Sequence, residues 1–307
     1  MNGSLLKATL SLASACVFAL AVTAAQADVI VAANGAAFGN GPIGTFDFTT
    51  GLPLGSFLPS GAFGSNNGRG LAMTLDRYFY TELGGGGFGA TDSIRIAPFN
   101  GGAGGADIGT FPNPAPGQGV QVLAFGAKGL YVVTGYPNSP PTVWILNGVT
   151  GATVGGPIVL AGADSGMDGF TVLPDGSFLG NLGDADNSYQ HWDAAGNKVG
   201  SPFAVPTCGS ATGVDIAPDG LSLYFMCNFN KFVHTDLTGL NVLGFINAPG
   251  GAWEDIAIQQ QFVCVGEQCN PINPGVPAPS TLILLGIGAL GFAAFRRRAA
   301  ARYDARS

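Results

Sequence analysis

The sequence predicts an all-β protein: a β-propeller of four-stranded antiparallel blades, five in number or six, followed by a short C-terminal hydrophobic helix. Three observations carry this expectation. Fifty glycines and twenty prolines accompany an apolar content of 47%. The chain therefore has material for a core yet must turn often, which reads as short strands joined by tight turns. Between the two ends no useful length of chain places apolar residues at helical spacing. Finally, a four-part pattern recurs: its aromatic anchors Phe79, Tyr131, Phe178 and Tyr224 stand 52, 47 and 46 residues apart, the repeat length of a propeller blade.

The pattern is clearest late in the chain. Residues 211–220 read as a strand ending in a Pro-Asp-Gly turn, followed by strands at 223–227, 232–239 and 241–246. The same order appears at 169–176, 177–180, 189–196 and 199–205, and again at 120–129, 130–133, 143–146 and 154–160. The first full copy spans 70–74, 78–80, 93–96 and 108–111. In the Pro-Asp-Gly turns, proline presets φ, aspartate tolerates the turn and glycine supplies positive φ. A recurring Thr-Gly or Ala-Gly makes the hairpin from third to fourth strand.

The ends are incomplete. Residues 29–33, 44–51 and 54–58 look like second, third and fourth strands lacking a first, whereas 252–258 looks like a first strand alone. Joined, they make one blade from both termini and a ring of five. Phe262 to Val265 is a competing second strand that would allow a sixth blade. A Gly-rich β-sandwich of similar strand count is the rival arrangement. The repeat resembles the broad superfamily of NHL-, YVTN- and SMP-30-like propellers at the level of fold, with no defining motif of those families intact. Such a fold hosts many chemistries and assigns none.

Both termini carry addresses. Residues 1–27 have an early Lys7, an apolar stretch from 10 to 22 and Ala25-Gln26-Ala27 as an A-x-A cleavage site. That is a secretory signal peptide, and the propeller domain is expected over 28–266. A Pro-rich linker over 267–279 leads to Val276-Pro277-Ala278-Pro279, an apolar segment over 281–295 and Arg296, Arg297 and Arg298. The arginines would hold the end of that segment on the cytoplasmic side, though it is short for a comfortable span. Residues 276–307 resemble the PEP-CTERM sorting signal of exported bacterial proteins, with Ala278 in place of the central Glu. The resemblance implies processing by an exosortase, transient anchoring in the inner membrane, delivery to the envelope surface or exterior, and a link to exopolysaccharide.

Removing both signals leaves six basic and eighteen acidic residues. So acidic a body excludes nucleic acid, whose binding requires cationic side chains that displace counterions. It suits cations or neutral, hydroxyl-rich partners. Cys208, Cys227, Cys264 and Cys269 remain, an even number that in an exported chain suggests disulfides. Of three connectivities, Cys208–Cys227 with Cys264–Cys269 is the most local.

Chemistry is sparse. His191 and His234 occupy related third-strand positions with ordinary packing roles, and no nucleophile elbow or phosphate loop occurs. First strands line a propeller axis, which places Arg69, Asp168 and Glu254, with Gln121 nearby, at the channel mouth. Asp184, Asp186 and Ser188 alternate oxygen ligands as calcium loops do. Two functions follow: a non-enzymatic surface or matrix component that binds polysaccharide, protein or a cation, or a metal-assisted hydrolase or lyase using Asp168, Asp215 and Glu254 as oxygen ligands.

Overall fold

The computed structural model describes residues 29–33, 42–57, 67–82, 93–100, 103–104, 107–183, 187–248, 252–260, 262–265 and 268–271. The expected signal peptide, the apolar segment over 281–295 with its expected helix, and the Asp184–Asp186 pair lie outside them. The described residues contain only β-strands as regular elements, arranged as antiparallel four-stranded blades of a propeller.

Four blades follow chain order. One comprises β4 (Asn67–Met73), β5 (Arg77–Glu82), β6 (Ser93–Asn100) and β8 (Gly109–Pro112), with the two-residue β7 (Ala103–Gly104) also on β6. The next comprises β9 (Gly119–Gly126), β10 (Gly129–Tyr136), β11 (Thr142–Leu146) and β12 (Thr153–Val159). Then come β13 (Phe170–Val172) to β16 (Lys198–Phe203), with β14 (Phe178–Asn181) and β15 (Tyr189–Trp192) between. Last are β17 (Ala211–Ile216), β18 (Ser222–Cys227), β19 (Lys231–Asp236) and β20 (Val242–Asn247).

A further sheet takes strands from both ends of the chain. Its order is β21 (Asp255–Ile258), β1 (Val29–Ala33), β2 (Ile43–Asp47) and β3 (Pro53–Phe57), with Ile30 opposite Ile258 and Ala33 opposite Asp255. The inner strands touch in cyclic order: β4 meets β9, β9 meets β13, β13 meets β17, β17 meets β21, and β21 returns to β4. Phe262–Val265, the competing blade strand, instead forms β22 of a separate hairpin with β23 (Gln268–Pro271), in which Cys264 and Cys269 are register partners.

Burial explains the sequence pattern. Each residue of β9 and β17 is buried, so the inner strands are mostly apolar, with Gln121, Thr212 and Asp215 as buried polar exceptions. The outer β12, β16 and β20 are exposed along most of their length. The apolar core divides among the seams between blades. One cluster packs Phe79, Phe111, Leu123 and Phe125, and another packs Tyr131, Phe170, Phe178 and Trp192. The seam of the two-ended blade holds Phe46, Phe232, Trp253 and Ile256, where the Phe46 ring meets Phe232 and Trp253 edge-on at 5.5 Å each.

The hairpins from third to fourth strand share one device. A side-chain oxygen at the start of the turn accepts backbone N–H bonds: Asp47 from Thr50 (2.7 Å), Asn147 from Thr150 (3.0 Å), Asp193 from Ala195 (2.9 Å) and Asp236 from Thr238 (3.1 Å). Each turn ends on a glycine of positive φ: Gly51, Gly151, Gly196 and Gly239. A Cβ at any of these would collide with the outer strand of the preceding blade, respectively at Ile246, Phe111, Val159 and Phe203. The recurring glycine is therefore a seam residue as well as a turn residue.

Cys208 and Cys227 form a disulfide with a Cα–Cα distance of 5.4 Å, tying the segment before β17 to the end of β18. The bond closes a loop of separation 19, so loop-closure entropy predicts a loss of about 3 kcal/mol on reduction. Denaturant melts of the mature protein with and without reductant should show the midpoint fall, and an unchanged midpoint would exclude that contribution.

Candidate functional site

The inner strands begin together at one end of the ring. Gly213 N donates to Glu254 O (2.8 Å), as does Thr212 Oγ1. A Cβ on Gly169 would strike Thr212 O, and one on Gly213 would lie 2.6 Å from Ile256 N. Inner strands approach this closely only where the side chain is absent. Their far ends also gather, since Gln260 Nε2 donates to Ile216 O (2.7 Å) and Gln260 N to Met73 O (3.3 Å). The axis thus has a mouth, where the inner strands start, and a turn end, where the Pro-Asp-Gly turns of Asp175 and Asp219 emerge.

Asp168 and Gln121 both lie at the mouth. Asp168 is buried, and its backbone N–H with that of Gly169 donates to Asn181 Oδ1 at 2.9 and 3.0 Å. Gln121 is 3% exposed and donates from Nε2 to Ser165 O, in the loop that leads to Asp168. Ser165 Oγ in turn donates to Pro137 O (2.8 Å). The Gln121–Ser165 bond fixes the orientation of the amide. It leaves Gln121 Oε1 buried with no hydrogen-bond partner among the described residues.

Two further carboxylates lie along the axis. Asp215 Oδ1 accepts from Thr171 Oγ1 and Ile216 N, both at 2.8 Å. Its Oδ2 accepts from Ile258 N (2.7 Å) and, at 3.5 Å, from Gln260 Nε2. Asp255 Oδ2 accepts from Leu71 N (2.8 Å), and its Oδ1 from Ile256 N (2.8 Å). Asp215 therefore connects its blade to the preceding blade and to the two-ended one, while Asp255 connects the two-ended blade to the one after it. These bonds span the joint where the chain's ends meet.

Burial dominates the electrostatics. It pushes the Asp215 carboxyl up to about 6 against the opposing pull of its four donors. It raises Asp255 well above the usual carboxylate range, and the charges of Asp215 and Asp168 add in the same direction. Tyr189, whose hydroxyl donates to Thr212 O (2.7 Å), is raised chiefly by burial, with Asp168 and Asp255 contributing. Asp168, Asp215 and Asp255 thus form one interacting set.

Other expected residues are placed as follows. Arg69 lies on β4 at the mouth end by its backbone, and its side chain is outside the described residues. Glu254 is at the mouth, where its carbonyl oxygen joins the β17 and β21 starts. Asp255, the neighbour of Glu254, was not among the sequence-predicted site residues. The signal was present, because Asp-Ile-Ala occurs at both 215–217 and 255–257. Ser188 presents its carbonyl to Leu182 N (2.8 Å). His191 stacks on Phe203 at 5.6 Å and His234 on Tyr224 at 4.3 Å, and burial lowers both imidazoles. Among the described residues no three His, Cys, Asp or Glu are grouped to hold a metal.

Beyond the ring the chain carries its address. Residues 275–298 match the PEP-CTERM protein-sorting motif. The match begins at Gly275, takes in Val276-Pro277-Ala278-Pro279 and ends at Arg298, so the substitution of Ala278 for glutamate does not remove the motif. A PEP-CTERM motif marks an exported protein with a membrane-anchoring C-terminal signal that an exosortase recognises. Among the described residues no helix is long and apolar enough to cross a membrane, and 281–295 lies outside them.

No curated protein matches the chain. Among solved structures it is similar to a protein of unknown function from Bacteroides caccae, with 13% identity, a TM-score of 0.45 and coverage of 72% of this chain and 73% of that one. It is similar also to a putative 6-phosphogluconolactonase from Bacteroides uniformis, with 14% identity, a TM-score of 0.41 and coverage of 72% and 68%. The Neurospora crassa Pan2 WD40 domain gives 14% identity, a TM-score of 0.35 and coverage of 72% and 61%.

Proposed function

We propose that the protein is a non-enzymatic surface or matrix component that binds neutral, hydroxyl-rich polymer at the mouth of its propeller, in association with exopolysaccharide. The observation that carries this reading is the use already made of the axial carboxylate. Asp215 receives donors on both oxygens, three of them from neighbouring blades. Those lone pairs hold the ring together, so the Asp215 carboxylate, one of the three that would serve a metal-assisted hydrolase as ligands, is engaged in structural bonds. Gln121 Oε1 at the mouth, though buried, has no hydrogen-bond partner among the described residues, and a sugar hydroxyl is a donor of the matching kind. The body's excess of eighteen acidic over six basic residues disfavours anionic polymers and leaves neutral glycans as the matching class. The register of Cys264 and Cys269 suits a second disulfide before the C-terminal linker.

Affinity electrophoresis of the mature protein through gels containing neutral polysaccharides tests the reading. Retardation that is lost in Gln121→Leu supports it. Calcium is the competing ligand, through the Asp184–Ser188 loop. If oligosaccharides are released only when calcium or another divalent ion is added, the hydrolase reading replaces it. If no gel retards the protein, polysaccharide binding is excluded.

A further inference from the structure

The two termini of the ring leave it at the same end. Strand β1 is antiparallel to β21, with Ile30 facing Ile258 and Ala33 facing Asp255. Asp255 lies toward the mouth and Ile258 toward the turn end, because Ile258 N bonds to Asp215 while Gln260, two residues later, bonds to Ile216 and Met73. Val29, one residue from the expected start of the mature chain, is therefore at the turn end, and so is the exit from β21 toward the sorting signal. The loops that carry Asp168, Ser165 and Pro137 stand at the opposite end.

Nine residues, 272–280, separate the last described residue from the apolar segment, a reach of at most about 32 Å, so the tail keeps the end of the ring from which it leaves near the bilayer. By the same topology the turn end carries the hairpin carboxylates Asp47, Asp193 and Asp236 beside Asp175 and Asp219, against Lys128, Lys198 and the Arg77–Asp76 ion pair (2.7 Å). Charge therefore does not favour this stance, and the tether alone sets it.

We propose that, while the tail holds the protein in the membrane, the ring stands with its turn end toward the bilayer and its mouth outward. The mouth is then the interaction surface offered to extracellular polymer, and the turn end is the surface shielded by the lipid. This inference rests on the anchoring tail and on the ring topology, and is independent of which ligand the mouth takes.

The test uses the mature chain with its tail intact, reconstituted in vesicles containing lipids with nitroxide headgroups. Cys264 and Cys269 are replaced by serine, and the Cys208–Cys227 disulfide is kept. Single cysteines carry a fluorophore at the turn end (Asp219→Cys and, separately, Pro174→Cys) or at the mouth (Asn138→Cys and Asp164→Cys). Headgroup quenching several-fold stronger at both turn-end positions is the expected result. Equal quenching at the two ends, or stronger quenching at the mouth, would overturn the proposal. Two positions at each end keep the comparison decisive if one variant fails to fold, and a failure of polysaccharide binding leaves this readout unaffected.

Discussion

Asp215→Ala is expected to lower the free energy of unfolding by about 2–4 kcal/mol, the largest loss from any single polar side chain in the ring. Three donors lose a close acceptor in a buried setting: Thr171 Oγ1, Ile216 N and Ile258 N. Leaving one buried donor unpaired costs about 1–3 kcal/mol, partly offset here because a carboxylate no longer has to be desolvated. The bond from Ile258 matters most, since it fixes β21 and so the joint between the chain's ends. Hydrogen exchange should quicken along β1 and β21 before the rest of the ring. Equal stability of variant and wild type would show that these bonds are redundant.

The same residue predicts a pH dependence of unusual sign. Its folded pKa of about 6 lies above the ordinary value of 3.8, so the folded state holds the proton more tightly than the unfolded chain does. Its stabilising contribution is fully present below the unfolded value and is lost as pH rises through about 6. Asp255 is shifted in the same direction. Asp47, Asp175, Asp193 and Asp236 are lowered by their turn hydrogen bonds and act oppositely, losing their contribution as pH falls below the ordinary range. The melting temperature should therefore rise by several degrees from pH 7.5 to about pH 5. Asp215→Asn should flatten part of that slope, whereas an unchanged slope would assign it to other groups.

Gly239→Ala is the second large effect, expected at about 2–5 kcal/mol. The φ of +74° is unfavourable for any side chain, at about 1–2 kcal/mol. The new methyl would also meet the Phe203 ring, whose Cζ lies 2.6 Å from the Cβ position. Overpacking of that kind adds about 1–3 kcal/mol. Gly176 separates the two terms, having a φ of +84° with nothing within 4 Å. Gly176→Ala should thus show the backbone cost alone. If the two variants melt at the same denaturant concentration, the seam contact at Phe203 contributes nothing.

Legibility in the sequence followed burial. The inner strands β9 and β17 are buried along their whole length, so they are mostly apolar and stand out in the sequence despite Gln121, Thr212 and Asp215. Outer strands such as β16 are exposed and resemble loops. They were recognisable only through the turn that precedes them, with its Asp or Asn and its glycine. The mouth was legible where position along the first strand sufficed, as for Asp168 and Gln121. Asp255 was missed because a one-residue choice between adjacent acids depends on which face of the strand meets the axis, and an isolated first strand does not reveal its facing.

The sequence alone determined the C-terminal sorting signal, the blade as the repeating unit and the positions of its turns. These rest on local chemistry: an apolar segment flanked by arginines, a strand period, and residues suited to positive φ. Tertiary structure alone decided the partners. It showed that the turn glycine of one blade seats against the outer strand of the blade before it. It placed two carboxylates where they bond the ends of the chain into the ring, and brought both termini out beneath the side opposite the mouth. Those outcomes depend on contacts between residues as far apart in sequence as Leu71 and Asp255, and no local pattern encodes which distant strand an exposed edge will meet.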